Sequence, residues 1–407
     1  MLRPRVKPEH APYRIAGNKI RIGWISYGIA AEISDPGGWV WTMLSSMDGS
    51  RDVTAIVEHV RSVHPEQPLG ILRQGVGQLL ASGYIEDAAG PVPGNLTERD
   101  LARYDRAVGF YRWLDLTPRA SSWEPQSRLR DARVTILGVG GTGGIAALAL
   151  AASGVGHLHC VDPDEVELSN LSRQVLYAEE DIGAPKAATA ADRLARVNRD
   201  IEVTAERMAA TRMEDVLALA EDCDVFLLTA DRPPELRVWA NRACLAAKRP
   251  WVYGGYHGPL VQAGVFVPGE GPCWECNARA LDDRNARIGG HVEDSPQRRA
   301  AMFRAVGATS AGLSGYLAAH HVVSLLTGIP PTVPGQVSMV NLAAIDASQV
   351  FSEPPHPECG ACAEAGLRLW TRVQLPPGLR PRSRPVLRGA RGSGCAPSAR
   401  AGTVTAG

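Results

Sequence analysis

Val134-Thr135-Ile136-Leu137 runs without a break into Gly138-Val139-Gly140-Gly141-Thr142-Gly143-Gly144 and then into the alanine- and leucine-rich stretch Ile145 to Ala152. A β-branched apolar run, a glycine-dense turn and a helix-forming run in that order allow few folds. The glycines permit a tight turn and let backbone N–H groups approach phosphates, while the helix N-terminus adds positive potential. A second apolar run ends at His159-Cys160-Val161-Asp162, where an acid can hold ribose hydroxyls. Gly138, Gly140, Gly141, Gly143 and Asp162 are therefore the candidate nucleotide-binding residues. Around them, from Leu101 to about Leu375, strand and helix patterns alternate. This predicts an α/β fold: a Rossmann-like, mostly parallel sheet covered on both faces. The clearest strands are Arg133 to Leu137, Val155 to Val161, Val225 to Leu228 and Trp251 to Tyr253.

This much also fits an NAD-dependent dehydrogenase, but the next segment does not. Asp162-Pro163-Asp164-Glu165-Val166-Glu167-Leu168-Ser169-Asn170-Leu171-Ser172-Arg173-Gln174, followed by Gly183-Ala184-Pro185-Lys186, resembles the ThiF-like adenylyltransferases. That family includes the activators of ubiquitin-like modifiers and of sulfur-carrier proteins. The resemblance implies that Asp162 holds the ribose, that Asn170, Arg173 and Lys186 contact the ATP phosphates, and that Asp231 is the magnesium-site acid. Arg103-Tyr104-Asp105-Arg106 is similar to the family's Arg-Tyr-x-Arg element, whose second arginine, Arg106 here, reaches the partner subunit's ATP. A homodimer with composite sites is thus expected. Arg232 stands where the family usually has Asn, and Ala107 where it often has Gln; neither change removes a charged group. The chemistry itself calls for such a set. When an ionised carboxylate attacks the α-phosphate no general base is needed, and the protein's task is to bring two anions together and stabilise the transferring phosphoryl group.

Cys273-Trp274-Glu275-Cys276 and Cys359-Gly360-Ala361-Cys362 are two Cys-x-x-Cys knuckles. Four thiolates in that arrangement suit tetrahedral structural zinc, with no open position for catalysis. The same pairs occur in ThiF-like proteins. Ubiquitin-activating relatives place a nucleophilic cysteine in or after the segment that follows the first knuckle, but Asn277 to Ala308 contains none. That polar segment resembles a mobile crossover loop, and the expected product is the adenylate or its transfer to another nucleophile. His257 and His291 read as packing or surface residues, and Cys160, Cys223 and Cys244 as core residues.

Residues 1–90 open with an extended arm. A strand at Lys19 to Ile22 follows, then helices over Gly38–Met47, Val53–Val60 and Leu69–Ser82, with Gly83 as a left-handed cap, and a short strand at Tyr84 to Glu86. This predicts a small winged-helix-like α+β domain. Nine basic and nine acidic side chains, with one arginine on the third helix, argue against a DNA-reading unit. Leu44, Met47-Asp48-Gly49-Ser50, Val53, Ile56-Val57, Leu79-Leu80 and Gly83-Tyr84-Ile85 resemble instead the leader-peptide-binding (PqqD-like) domain of ribosomal-peptide (RiPP) biosynthesis. Such domains add a peptide as a strand to the wing edge. Clamp plus nucleotide domain is similar in architecture to the microcin-C-type peptide-adenylating enzymes.

The expected organisation is a clamp domain (1–90), a linker (91–100), an adenylation domain (101–375) and a disordered tail (376–407) with six arginines and no acid. The expected function is ATP-dependent adenylylation of a peptide C-terminal carboxylate, with ATP, Mg2+ and Zn2+. A ribosomal precursor peptide and a downstream modifying enzyme are the expected partners. Activation of a sulfur-carrier or ubiquitin-like protein is one alternative, and a non-catalytic scaffold for a cyclodehydratase is another. A net charge of zero predicts no nucleic-acid or membrane attraction. The apolar stretch Ala311 to Ile329, interrupted by His320 and His321, reads as a buried core helix. Without a signal-like N-terminus the chain reads as cytoplasmic.

Overall fold

A computed structural model describes residues 2–25, 28–287 and 305–365. The expected tail, the end of the adenylation segment beyond 365 and His291 lie outside the described residues, as does the middle of the expected crossover loop, whose described start to Arg287 is instead the end of a helix, α10 (Trp274–Arg287).

The large sheet has eight strands in the order β13-β12-β11-β10-β9-β6-β7-β8. These are β6 (Arg133–Leu137), β7 (His157–Val161), β8 (Glu202–Glu206), β9 (Val225–Leu228), β10 (Trp251–His257), β11 (Leu260–Phe266), β12 (Val337–Asn341) and β13 (Gln349–Phe351). The block β8-β7-β6-β9-β10 is parallel, and β11, β12 and β13 continue it antiparallel. Side chains alternate between two cores. Val134, Ile136, Val225, Leu227 and Val252 face one of them. It is covered by α5 (Glu124–Asp131), α6 (Gly141–Ser153), α7 (Lys186–Val197) and α11 (Ala308–Thr327). Leu137, Phe226, Leu228, Trp251 and Tyr253 face the other, under α8 (Met213–Glu221) and α9 (Leu236–Ala247). This period-2 split is what a sheet buried on both faces requires.

α11 includes most of the stretch expected as a core helix, with Ala311, Ala318 and Val322 fully buried. Its Ser314 hydroxyl lies 2.7 Å from that of Thr142 on α6. Among the described residues no helix is long and apolar enough to cross a membrane.

The N-terminal region has its own core of Ile20, Ile22, Met43, Leu44, Ile56, Val60, Leu72 and Val76. It joins α1 (Trp39–Ser46), α2 (Val53–Val63) and α3 (Leu69–Ala81) to two small antiparallel sheets. One sheet is β2 (Tyr13–Ile15), β3 (Lys19–Ile22) and β4 (Ala31–Ser34). The other pairs β1 (Pro4–Val6) with β5 (Ile85–Asp87). Part of the arm expected to be extended is therefore a strand, and β5 pairs with it rather than with β3. Gly83 takes φ +79°, and a Cβ there would sit 2.0 Å from the Leu116 carbonyl oxygen, so only glycine allows this contact.

The contact surface beside α4 (Glu98–Leu114) is polar. Buried Lys7 donates from Nζ to the Asp115 carbonyl at 2.5 Å, and burial lowers its pKa against the pull of Asp115 and Glu86. Arg112 forks onto Glu9 at 2.7 Å, His10 Nε2 lies 3.1 Å from the Arg112 carbonyl, and Arg5 pairs with Glu86 at 2.6 Å.

Candidate active site and metal centre

The glycine turn sits at the carboxyl end of β6, where ligands of open α/β sheets bind. Gly138 (φ +95°) lets the chain reverse against Ala230; an added Cβ would meet its nitrogen at 2.6 Å. At Gly143 a Cβ would overlap the Gly138 carbonyl at 1.8 Å, so α6 starts flush against the turn. Gly140 caps α6 without a side chain, and Gly141 lies against Ala311 of α11 and the Arg173 stem. The N–H groups opening α6 are thus presented by backbone alone.

At the end of β7, buried Asp162 accepts from the Val139 N–H at 2.8 Å and the Asp164 N–H at 3.0 Å. Burial raises its pKa; those two donors and nearby Lys186 counter the shift. Asn170 ends a short 3-10 turn. It is buried, and its Oδ1 accepts from the Glu167 N–H at 3.2 Å. Arg173, half-buried, donates to the Ser169 carbonyl at 2.9 Å. Lys186 opens α7, buried, with Nζ 2.8 Å from the exposed Asp164 carboxylate. Asp231 follows β9 and is exposed. Tyr256 of β10 lies near both: burial raises its pKa, Asp231 adds to that rise and Arg173 opposes it.

The glycines, Asp162, Asn170, Arg173, Lys186 and Asp231 thus gather at one end of the parallel block. Arg106 does not join them. It is exposed on α4, two positions past Tyr104, whose hydroxyl meets Asn198 at 2.8 Å and whose ring lies against Gly154 beyond the far end of α6. A thirteen-residue helix separates the two ends by about 20 Å.

Four further residues belong to this neighbourhood. Tyr177 donates to the Val139 carbonyl at 2.8 Å, and burial pushes its pKa far up, so it stays neutral. Thr229 donates to the Gly138 carbonyl. Gln174 packs on Gly140, and its buried Oε1 has no partner among the described residues, a free acceptor beside the turn. Tyr256 is the fourth. Only Gln174 carried a sequence signal, by adjoining Arg173.

Cys273, Cys276, Cys359 and Cys362 bring their Sγ atoms within 4.8 Å of one another, all buried. The Cys273–Cys276, Cys273–Cys359 and Cys276–Cys362 separations are 3.7, 3.6 and 3.6 Å. Tetrahedral zinc with 2.3 Å bonds to sulfur sets sulfurs about 3.8 Å apart. The donor set therefore fits a zinc ion, with all four positions filled by protein. Asn241 donates to Cys273 Sγ at 3.5 Å and to Glu275 at 3.1 Å, an outer layer that orients the thiolates. The remaining described cysteines are inert: burial pushes Cys160 to about 12 and Cys223 to about 11, and raises Cys244 well above the ordinary thiol value.

Residues 105–361 match the model of the ThiF family. The chain belongs to the ThiF family. Molybdopterin-synthase adenylyltransferase of Escherichia coli is 30% identical over 270 residues, 66% of this chain and 99% of that protein. The sulfur carrier protein ThiS adenylyltransferase of E. coli is 34% identical over 239 residues, 58% of this chain and 84% of that protein. With these relatives, the ThiF-family chain described here is an adenylyltransferase. Among solved structures it is similar to E. coli MccB, a microcin C7 biosynthetic enzyme, with a TM-score of 0.69 at 22% identity over 88% of this chain and 96% of that one. That span is wider than the family match and takes in the N-terminal region.

A pH effect follows from Asp162. Its raised pKa means that protonation begins at a higher pH than for an ordinary aspartate, and, if Asp162 holds the ribose, its protonated carboxyl would accept the hydroxyls poorly. The KM for ATP is expected to rise as pH falls from neutrality into the carboxylate range, and Asp162→Asn to flatten that rise; steady-state kinetics across pH checks both. For stability the sign is opposite: holding the buried charge costs free energy at neutral pH, and the cost is relieved as pH falls.

Proposed function

We propose that the chain adenylylates the C-terminal carboxylate of a ribosomally made peptide whose leader is held by residues 1–90. The carrying observation is that the likeness to MccB spans 88% of the chain, so an N-terminal region with its own core accompanies the nucleotide domain as it does there. MccB has been solved with ATP and in complex with N-formylated MccA. The leader would add as a strand beside β4, whose outer edge is unpaired among the described residues.

In this reading ATP lies across the glycine turn, with ribose on Asp162 and phosphates toward Asn170, Arg173, Lys186 and the α6 N-terminus. The peptide carboxylate oxygen attacks the α-phosphorus. The α–β bridging P–O bond breaks, and pyrophosphate leaves with its electron pair. Asp231, an exposed carboxylate beside Arg173, would hold a magnesium ion together with the phosphates, and the ion when bound offsets their charge. The four cysteines would hold zinc as a structural ion. Arg106 would serve the partner's ATP in a homodimer.

Incubation with Mg-ATP and the peptide from the nearest short reading frame should yield an AMP adduct or a C-terminal change with AMP and pyrophosphate, read by mass spectrometry. The names of the sequence relatives favour a second reading, activation of a sulfur-carrier protein. Turnover with a Gly-Gly-terminated carrier and none with the peptide would select it.

A further inference from the structure

Arg237, the second residue of α9, holds its guanidinium carbon 5.5 Å from the centre of the Tyr253 ring. One terminal nitrogen lies 3.9 Å from where a Cβ on Gly255 would be. It faces the stretch Tyr253, Gly255, His257, alternate residues on one side of β10 at its carboxyl end. Its charge acts on His257, whose pKa burial and this arginine both lower. The guanidinium makes no hydrogen bond or ion pair with any described residue.

A half-buried guanidinium without an anion is uncommon, because a desolvated charge is normally matched by a partner. Its planar fork suits a carboxylate. The two cations assigned to the ATP phosphates are engaged, Arg173 with the Ser169 carbonyl and Lys186 with Asp164. If ATP takes those two, the second anion of the reaction needs a cation of its own. Gly255 leaves the space over β10 open, and neighbouring Tyr256 points to the Arg173 side of the same strand end.

We propose that Arg237 receives the acceptor's C-terminal carboxylate, gripping it on the α9 side of β10 and setting specificity for a free acid terminus. His257, kept neutral by burial and by Arg237, adds no competing charge beside the guanidinium. The inference rests on the reading of this chain as a peptide-adenylylating enzyme.

Binding rather than turnover tests it, using the full chain saturated with a non-hydrolysable ATP analogue. The peptide from the nearest short reading frame is offered with a free acid and with an amidated C-terminus, and affinity is read by calorimetry. The unmodified chain is expected to prefer the acid by about tenfold or more, the scale of a charge-assisted hydrogen bond. In Arg237→Gln the two forms should bind within about twofold of each other, with analogue affinity unchanged. Arg237→Met, which keeps the stem on Tyr253, should behave likewise and carries the measurement if the Gln variant misfolds. Undiminished preference for the acid in the variants overturns the role of Arg237 while leaving peptide adenylylation intact. Failure of both peptide forms to bind the unmodified chain overturns the peptide reading, and this inference with it.

Discussion

Arg173→Ala is expected to cut adenylate formation by about two to three orders of magnitude, the usual consequence of removing one charged donor from a transferring phosphoryl group. The fold should survive, because among the described residues the guanidinium hydrogen-bonds only the Ser169 carbonyl, and the residue is half-exposed. Lys186→Met should be as severe in rate. It also strips the cation from Asp164, but that carboxylate is 64% exposed and water can take over. Pyrophosphate release under saturating ATP reads both variants, and circular dichroism checks the fold. A rate within a few-fold of the unmodified chain for either would refute the assignment of these side chains to the phosphates.

Cys276→Ser should have the largest effect on stability. Its thiol is fully buried, 3.6 Å from Cys362 and 3.7 Å from Cys273, and a weaker ligand there leaves three thiolates crowded around an incompletely held ion. Each knuckle residue stands 86 positions from its partner in the other pair, so a metal held by both pairs would close a long loop. In the chain-entropy model a cross-link over such a loop is worth about 4–5 kcal/mol. Loss of stability of about that size is expected, along with loss of one zinc equivalent per chain by elemental analysis. Full thermal stability in a zinc-free Cys276→Ser protein would show that the cluster is not a structural metal site.

How legible each part was follows from how far its determinants lie apart in the chain. The turn from Gly138 to Gly144, the acid at Asp162 and the segment to Lys186 are nearly contiguous, and their backbone demands show as glycines and fixed spacings. The cysteine pairs declare themselves because few other uses exist for two matched knuckles. Tyr256 and Arg237 gave no such signal. They are ordinary residues until β10 is laid beside β9, a pairing that brings Tyr253 opposite Leu228 and so sets the next residues beside Asp231. The antiparallel half of the sheet was also hidden. Trp251 to Tyr253 looked like a whole strand, yet β10 continues through Gly254 and Gly255, two positions that pure strand preference disfavours. Gly254 is there because a Cβ would come within 2.8 Å of Ala318 on α11. Similarly, β1 is three residues beginning with proline, and only its pairing with β5, on the other side of the N-terminal core, makes it a strand.

The polar seam beside α4 bears on how such a protein could be assembled from parts. Lys7, Glu9 and His10 reach Asp115 and Arg112 on one side of that helix and its end, while Tyr104 on the same helix ties to Asn198 beside the nucleotide domain. The described residues accordingly belong to one compact unit. Residues 1–90 exchanged for a foreign segment would arrive without the partners of Arg112 and Asp115, and would strand those groups in a half-dry seam. Recombination that cuts at residues 91–100 is therefore disfavoured unless the seam travels with it. Change within residues 1–90 is more readily tolerated side chain by side chain than as a transplant of the whole segment.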